Sequence, residues 1–221
     1  MDVCIIIPAF NERDRIAGVV GKALEFGRVI VVDDGSSDDT AVFAKNAGAV
    51  VLRQPVNMGV GFTTKTGLDY AVKNFSPSIL VTIDADGQHP VELIPRLLEK
   101  IRCGYDVVFT NRLSDRARMP YSKRLGNVVL SRLTNLVSGS RVSDTQSGFR
   151  ALTMRAYESL ALECDDYAFV SEMVYEVGQA GLKYVEVDIP AVYHAERGYK
   201  GATVTTGIKI FLKTLLFRFR K

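Results

Sequence analysis

Short apolar runs alternate with segments whose apolar positions recur every three or four residues. The runs VCIIIP, RVIVVDDG, AVVLRQP, ILVTIDADG and YDVVFTN read as buried strands at 3–8, 28–35, 49–55, 79–87 and 105–111. Their β-branched composition and turn-forming ends suit a sheet covered on both faces, and the segments between them read as helices. Such alternation predicts an α/β fold with a mainly parallel central sheet and helices on both faces. In a sheet of this kind ligands gather beyond the carboxyl ends of the strands. The polar residues obey that rule: Pro8, Asn11 and Glu12 follow the first run, Asp33 and Asp34 the second, Asp84 and Asp86 the fourth, and Arg112 the fifth. The second half of the chain is more mixed in pattern.

Composition narrows the class without naming a chemistry. The 221 residues, 47% hydrophobic and 24% charged, are enough for one well-packed domain. Cys4, Cys103 and Cys164 are odd in number and scattered, which predicts reduced thiols in a cytosolic setting. The start, MDVCIIIPAF, has neither the basic leader nor the length of a signal peptide. No run approaches the roughly 18 uninterrupted apolar residues of a membrane span. The expectation is a soluble or peripheral protein.

The stretch VTIDADGQHP carries the sharpest chemical signal. Two carboxylates at the mouth of a buried strand repel each other unless a cation lies between them, which points to a metal; alternatively, Asp84 or Asp86 caps the next helix. Gln88 adds a neutral carbonyl ligand, His89 is expected to cap the following helix, and Pro90 to sit in its first turn. A dinucleotide fingerprint is excluded because PAFNE stands where GxGxxG is required. NMGVG, at 57–61, lacks the Lys-Ser/Thr of a phosphate loop and reads as a turn. A nucleotide can still be held by carboxylates, for which Asp33 is well placed.

IIPAFNE, VVDDGSSDDT, NMGVG, DADGQHP, TNR, SDTQSGFRA and SEM, in that order, resemble the family 2 glycosyltransferases of the GT-A fold over nearly the whole chain. The dolichyl-phosphate mannose synthase group is the nearest likeness. The resemblance implies that Pro8, Phe10, Glu12, Val31 and Asp33 hold the nucleotide of a sugar donor. It implies that Asp84, Asp86 and Gln88 form the metal and diphosphate site, and that Ala85 and Arg112 bind donor. Arg197 and Lys200, in ERGYKGATV, correspond to residues that close over the donor, although the spacing departs from the mannose synthase pattern. GDP-mannose and UDP-glucose both remain open as donors. Oxygen ligands favour Mg²⁺ or Mn²⁺, which stabilises a departing nucleoside diphosphate.

In SDTQSGFRA, Gly148 permits close approach of the backbone to a ligand, Asp144 and Gln146 are candidates for sugar hydroxyls, and Arg150 for a phosphate. The other reading is a polar loop opening a strand. A hydroxyl acceptor must lose a proton, which Asp144 or Glu172 would take. A lipid phosphate, with a second pKa of about 6, needs only cations to hold it, and Lys123 and Arg124 in RLSDRARMPYSKR offer them. The apolar stretch LGNVVLSRLTNLVSG that follows suits either a core helix or a bilayer surface.

From Arg197 to Lys221 there are seven basic residues and no acidic ones, while the rest of the chain, with 21 basic and 25 acidic residues, carries −4. Interleaved with Ile208, Ile210, Phe211, Leu212, Leu215, Leu216, Phe217 and Phe219, these charges fit a membrane surface better than nucleic acid; a terminal helix packed on the core fits equally. The expected organisation is a catalytic domain at 1–202 and a basic amphipathic helix at 203–221. The expected activity is inverting transfer of a hexose from a nucleotide sugar to dolichyl or polyprenyl phosphate, on the cytoplasmic face of a membrane. The relatives' membrane hairpins are missing here, so membrane access is peripheral, depends on an anchoring partner, or lies in a longer chain. Alternatives are a GT-A transferase using a sugar hydroxyl, a sugar nucleotidyltransferase, whose glycine-rich Arg-containing loop is absent, and a noncatalytic membrane adaptor, which would not need the Asp33, Asp84 and Asp86 cluster.

Overall fold

The computed structural model describes residues 2–115, 119–192 and 204–217. Within them one sheet contains β1 (Val3–Ala9), β2 (Arg28–Asp33), β3 (Val50–Arg53), β4 (Ile79–Thr82), β5 (Val107–Asn111), β6 (Arg150–Thr153) and β7 (Tyr184–Asp188). The order is β3-β2-β1-β4-β6-β5-β7. All five expected strands form. β4 stops at Thr82 and β3 at Arg53, so that the DADG and QP segments leave the sheet at its mouth. The sheet is parallel except for β6, which runs antiparallel between β4 and β5.

Helices α1 (Arg13–Ala23), α2 (Thr40–Asn46), α3 (Val60–Phe75), α4 (Ile94–Arg102), α5 (Tyr121–Ser138), α6 (Met154–Glu158), α7 (Phe169–Gln179) and α8 (Val204–Phe217) surround it. Successive strand side chains point to opposite faces, and β1 feeds two cores. Ile5 and Ile7 join Ile16, Val20, Ile94, Leu97 and Ile101 on one side. Cys4 and Ile6 join Leu68, Phe109, Met173, Val174 and Phe217 on the other. From β1 the chain steps outward to β2 and β3, then returns to place β4 on the opposite flank of β1. The crevice between β1 and β4 is therefore the topological switch point, where open α/β sheets bind ligands.

The sequence left two readings of the last helix, and α8 combines features of both. Ile210, Thr214 and Phe217 are buried, Phe217 lies 5.5 Å from the ring of Tyr175, and Lys213 Nζ donates to Asp166 at 2.8 Å. Phe211, Leu212, Leu215 and Leu216 are exposed. Helix α5, which packs against α7 and α8, likewise exposes Tyr121, Leu125, Val129 and Leu136. No helix among the described residues is long and apolar enough to cross a membrane.

Candidate active site

The first wall of the mouth is built by β1, β2 and the loops that follow them. Asp33 ends β2 with a fully buried side chain; its Oδ1 accepts from the backbone N–H of Ser36 at 3.2 Å, and its Oδ2 lies 3.3 Å from Nε of Arg53. Asn11 adopts a left-handed backbone, φ 53°, and its side-chain oxygen accepts from the N–H of Ser37 at 2.9 Å. Glu12, also buried, donates its N–H to Thr40. Asp34 accepts from the N–H groups of Met58 and Gly59 at 2.7 and 3.1 Å. NMGVG is thus a turn held by a carboxylate that opens α3. Phe10 stands exposed at the rim.

The second wall is the end of β4. Asp84 keeps 41% of its side-chain surface open and Ala85 is buried. Although the side chain is partly open to the mouth, the protein packed around the carboxyl keeps enough water away to raise Asp84 above its ordinary value, against the pull of Arg112 and Arg150. Burial and then the negative charge of Asp84 raise Asp86, so the two carboxylates share one field. The N–H of Gln88 donates to Asp86 Oδ1 at 2.9 Å. His89 does not cap the following helix. It is buried, stacks on Phe149 at 5.6 Å between ring centres, and its Nδ1 accepts from the N–H of Asp84 at 3.2 Å. Burial pulls the imidazole down to about 4, so it is neutral at pH 7 and Nδ1 is free to act as an acceptor. Pro90 precedes the short 3₁₀ turn at Val91–Leu93 rather than entering it, with an extended ψ of 97°.

The third wall is SDTQSGFRA. Gly148 lies against Asp84, and a Cβ there would stand 2.7 Å from Asp84 Oδ1; Thr82 donates to the carbonyl of Gly148 at 2.7 Å. The Asp144 carboxylate is fully buried and accepts from Arg112 Nε at 2.8 Å and Nη2 at 3.2 Å. Burial alone would raise Asp144, but the charge and hydrogen bonds of Arg112 outweigh it and hold the carboxyl below its usual range. Arg150 is 2% exposed. It donates to the carbonyls of Ser147 and Thr145 at 2.8 and 2.7 Å and lies over the ring of Phe109 at 5.1 Å, with Nη1 unpartnered. Pro8, Asp84, Gly148, Arg150 and Met173 help to line a cavity of about 30 Å³.

Most of the residues expected at the mouth are brought together there. Val31 is not: its side chain is buried in the first core, in register with Ile7 and Val51. Gln146 turns inward and donates to Ser171 Oγ at 2.9 Å. Glu172 is buried and accepts from the N–H groups of Glu163 and Cys164 at 3.1 and 2.8 Å. Lys123 and Arg124 lie in the first turn of α5, partly exposed, and Arg197 and Lys200 fall outside the described residues. Glu186 was not singled out from the sequence, yet it accepts from both the N–H and the hydroxyl of Ser143, at 2.7 and 2.8 Å. The available signal was the alternation of Tyr184, Glu186 and Asp188 along β7, which places three polar groups on one face.

The sequence profile described as "Glycosyl transferase family 2" matches residues 4–163. The chain belongs to glycosyl transferase family 2. It is 32% identical over 244 residues to the UDP-N-acetylglucosamine–dolichyl-phosphate N-acetylglucosaminyltransferase of Methanococcus voltae, spanning 99% of this chain and 97% of that one. It is 31% identical over 206 residues to the undecaprenyl-phosphate mannosyltransferase of Micrococcus luteus, spanning 87% and 84%. Its fold is GT-A: glucosyl-3-phosphoglycerate synthase from Mycobacterium tuberculosis, solved with Mg²⁺ and UDP, superposes with a TM-score of 0.75 at 22% identity, covering 98% of this chain and 79% of that one.

Among the described residues no group of three or more His, Cys, Asp and Glu side chains can hold a metal on its own. The donor set still fits a divalent cation that substrate phosphates help to hold. Asp84 and Asp86 provide oxygen ligands in one mutually repulsive field, and Mg²⁺ is commonly bound by one or two carboxylates plus substrate phosphates.

Proposed function

We propose that the protein transfers a glycosyl group from a nucleotide sugar to a polyprenyl phosphate, with inversion at the anomeric carbon. The observation that carries the choice of acceptor is the state of the two candidate bases. Asp144 is locked to Arg112, and Glu172 is committed to two backbone N–H groups. A phosphate acceptor needs neither, because it is already largely ionised at neutral pH; a hydroxyl acceptor would. The likeness to two polyprenyl-phosphate transferases over most of their length supports the same reading.

In this reading Asp33 and the loops after β1 and β2 hold the nucleoside, and Asp84 and Asp86 would hold Mg²⁺ or Mn²⁺ together with the phosphates of the donor. The ion, when bound, neutralises the charge that develops on the departing nucleoside diphosphate. Gly148 lets Asp84 sit flush with the SDTQSGFRA loop, and the guanidinium groups of Arg112 and then Arg150 lower the cost of keeping Asp84 ionised. Lys123 and Arg124, at the amino end of α5, attract the acceptor phosphate, helped by the positive end of the helix dipole. A phosphate oxygen then bonds to the anomeric carbon as the bond to the diphosphate breaks on the opposite face.

The exposed apolar residues on α5 and α8 suit a peripheral contact with the membrane that holds the lipid. Leu125 and Val129 lie one turn apart, as do Leu212 and Leu216, so each pair faces one side of its helix. Exposed apolar area concentrated on neighbouring helices marks an interaction surface. The test of the function is a screen of UDP- and GDP-sugars against polyprenyl phosphate with Mg²⁺ or Mn²⁺, read as lipid-dependent release of nucleoside diphosphate. Release of pyrophosphate, or no release with any donor, overturns the assignment.

A further inference from the structure

Gln54 follows β3 beside Asp33, to whose carbonyl it donates its own backbone N–H at 2.9 Å. It is 8% exposed, yet neither the oxygen nor the nitrogen of its side-chain amide has a hydrogen-bond partner. An amide buried with both ends unpaired is unfavourable, and such groups in folded proteins call for an explanation. Gln54 also lines a cleft of about 370 Å³ together with Gly35, Ser36, Arg53 and Pro55. Gly35 keeps one wall close: its φ is +70°, and a Cβ on it would stand 2.7 Å from the carbonyl carbon of Val56. Asp33 lies behind this lining, bonded to it by Ser36 N–H and by Arg53, whose Nε lies 3.3 Å from its Oδ2 and whose Nη2 donates to the carbonyl of Ser36 at 3.1 Å.

We propose that Gln54 reads the nucleobase of the donor and selects a base with a ring N–H next to a ring carbonyl. The inference rests on the nucleotide-sugar reading above. The amide turns from its unpaired position into the cleft, where its NH₂ donates to the ring carbonyl while the adjacent ring N–H donates to Asp33. A carboxylate oxygen has lone pairs enough to accept from the base as well as from Arg53. Uracil and guanine carry this edge. Cytosine and adenine present an unprotonated ring nitrogen beside an amino group; the amide of Gln54 can turn its oxygen to the amino group, but the ring nitrogen would set a lone pair against the acceptor-only carboxylate of Asp33. A site built to pair a polar edge discriminates strongly, because the wrong ligand leaves buried groups unpaired.

The experiment measures binding of UDP, GDP, ADP and CDP, each with Mg²⁺, to the wild-type chain and to Gln54→Met, which keeps the length of the side chain and removes both polar atoms. Gln54→Leu serves as a second variant, and thermal midpoints without nucleotide check the fold. The expected result is that wild type favours UDP or GDP over ADP and CDP. Each variant should then lose about tenfold on the favoured nucleotide, the worth of one hydrogen bond, while ADP and CDP change little and the midpoints hold or rise. The two favoured arms tell uracil from guanine. An unchanged preference, or an equal loss for all four nucleotides, overturns the role of Gln54 while leaving the nucleotide-sugar reading standing. Failure of the wild-type chain to bind any of the four overturns both.

Discussion

Asp84 and Gly148 meet so closely that one added carbon does not fit between them: a Cβ on Gly148 would stand 2.7 Å from Asp84 Oδ1 and 3.2 Å from Oδ2. Gly148→Ala should therefore push the carboxylate out of line without unfolding the sheet. Losses of about 10- to 100-fold in metal affinity are usual when a ligand's support is disturbed. The expectation is a fall of that size in Mg²⁺-dependent UDP or GDP binding by calorimetry, with the far-UV spectrum unchanged. Binding equal to wild type would show that the placement of Asp84 does not matter.

Asp86→Ala should abolish transfer, yet the nucleotide-free protein should be no less stable than wild type. Burial and the charge of Asp84 both work against ionised Asp86, so removing it relieves a repulsion. Thermal midpoints with and without Mg²⁺ plus nucleotide separate the two effects: the variant should match or exceed wild type alone and gain less from the ligands.

Arg112 and Asp144 make the opposite prediction. Removing one member of a buried pair leaves the other uncompensated, a loss of about 3–5 kcal/mol, so Arg112→Ala should lower unfolding free energy by that order in urea titrations. The pH dependence follows from the direction of the Asp144 shift. With its folded pKa below the unfolded value of about 3.9, the native state binds fewer protons in that window. The contribution is complete above the unfolded value and is lost as pH falls through the folded one. Asp144→Asn should flatten stability against pH below about 4 by up to one proton.

Glu172→Gln tests the assignment of a base directly. Because the carboxylate accepts two backbone N–H groups, the amide should cost about 1–3 kcal/mol of stability while leaving the shape of the pH–rate profile intact. Loss of the acidic limb in that profile, along which a general base must shed its proton, would instead mark Glu172 as the proton acceptor.

The strands of the first half are legible in the sequence because they are short β-branched runs bounded by turn residues, and their polar ends mark one mouth. The partnerships inside that mouth were not legible. Arg112 meets Asp144 across 32 residues and Ser143 meets Glu186 across 43, distances over which local pattern carries no information. His89 looked like a cap because it precedes a helix, and only the stacking of Phe149 reveals an imidazole buried as an acceptor. Helix α8 could be read either way from its sequence, because one face packs on Tyr175 and the other remains exposed.

The most direct measurement is transfer of labelled sugar from UDP- and GDP-sugar donors to two acceptors that differ only in one group: polyprenyl phosphate and the free polyprenol. The predicted result is Mg²⁺- or Mn²⁺-dependent label on the phosphate-bearing lipid alone, with nucleoside diphosphate released in equal amount. Label on the polyprenol, with none on the phosphate, would contradict the account.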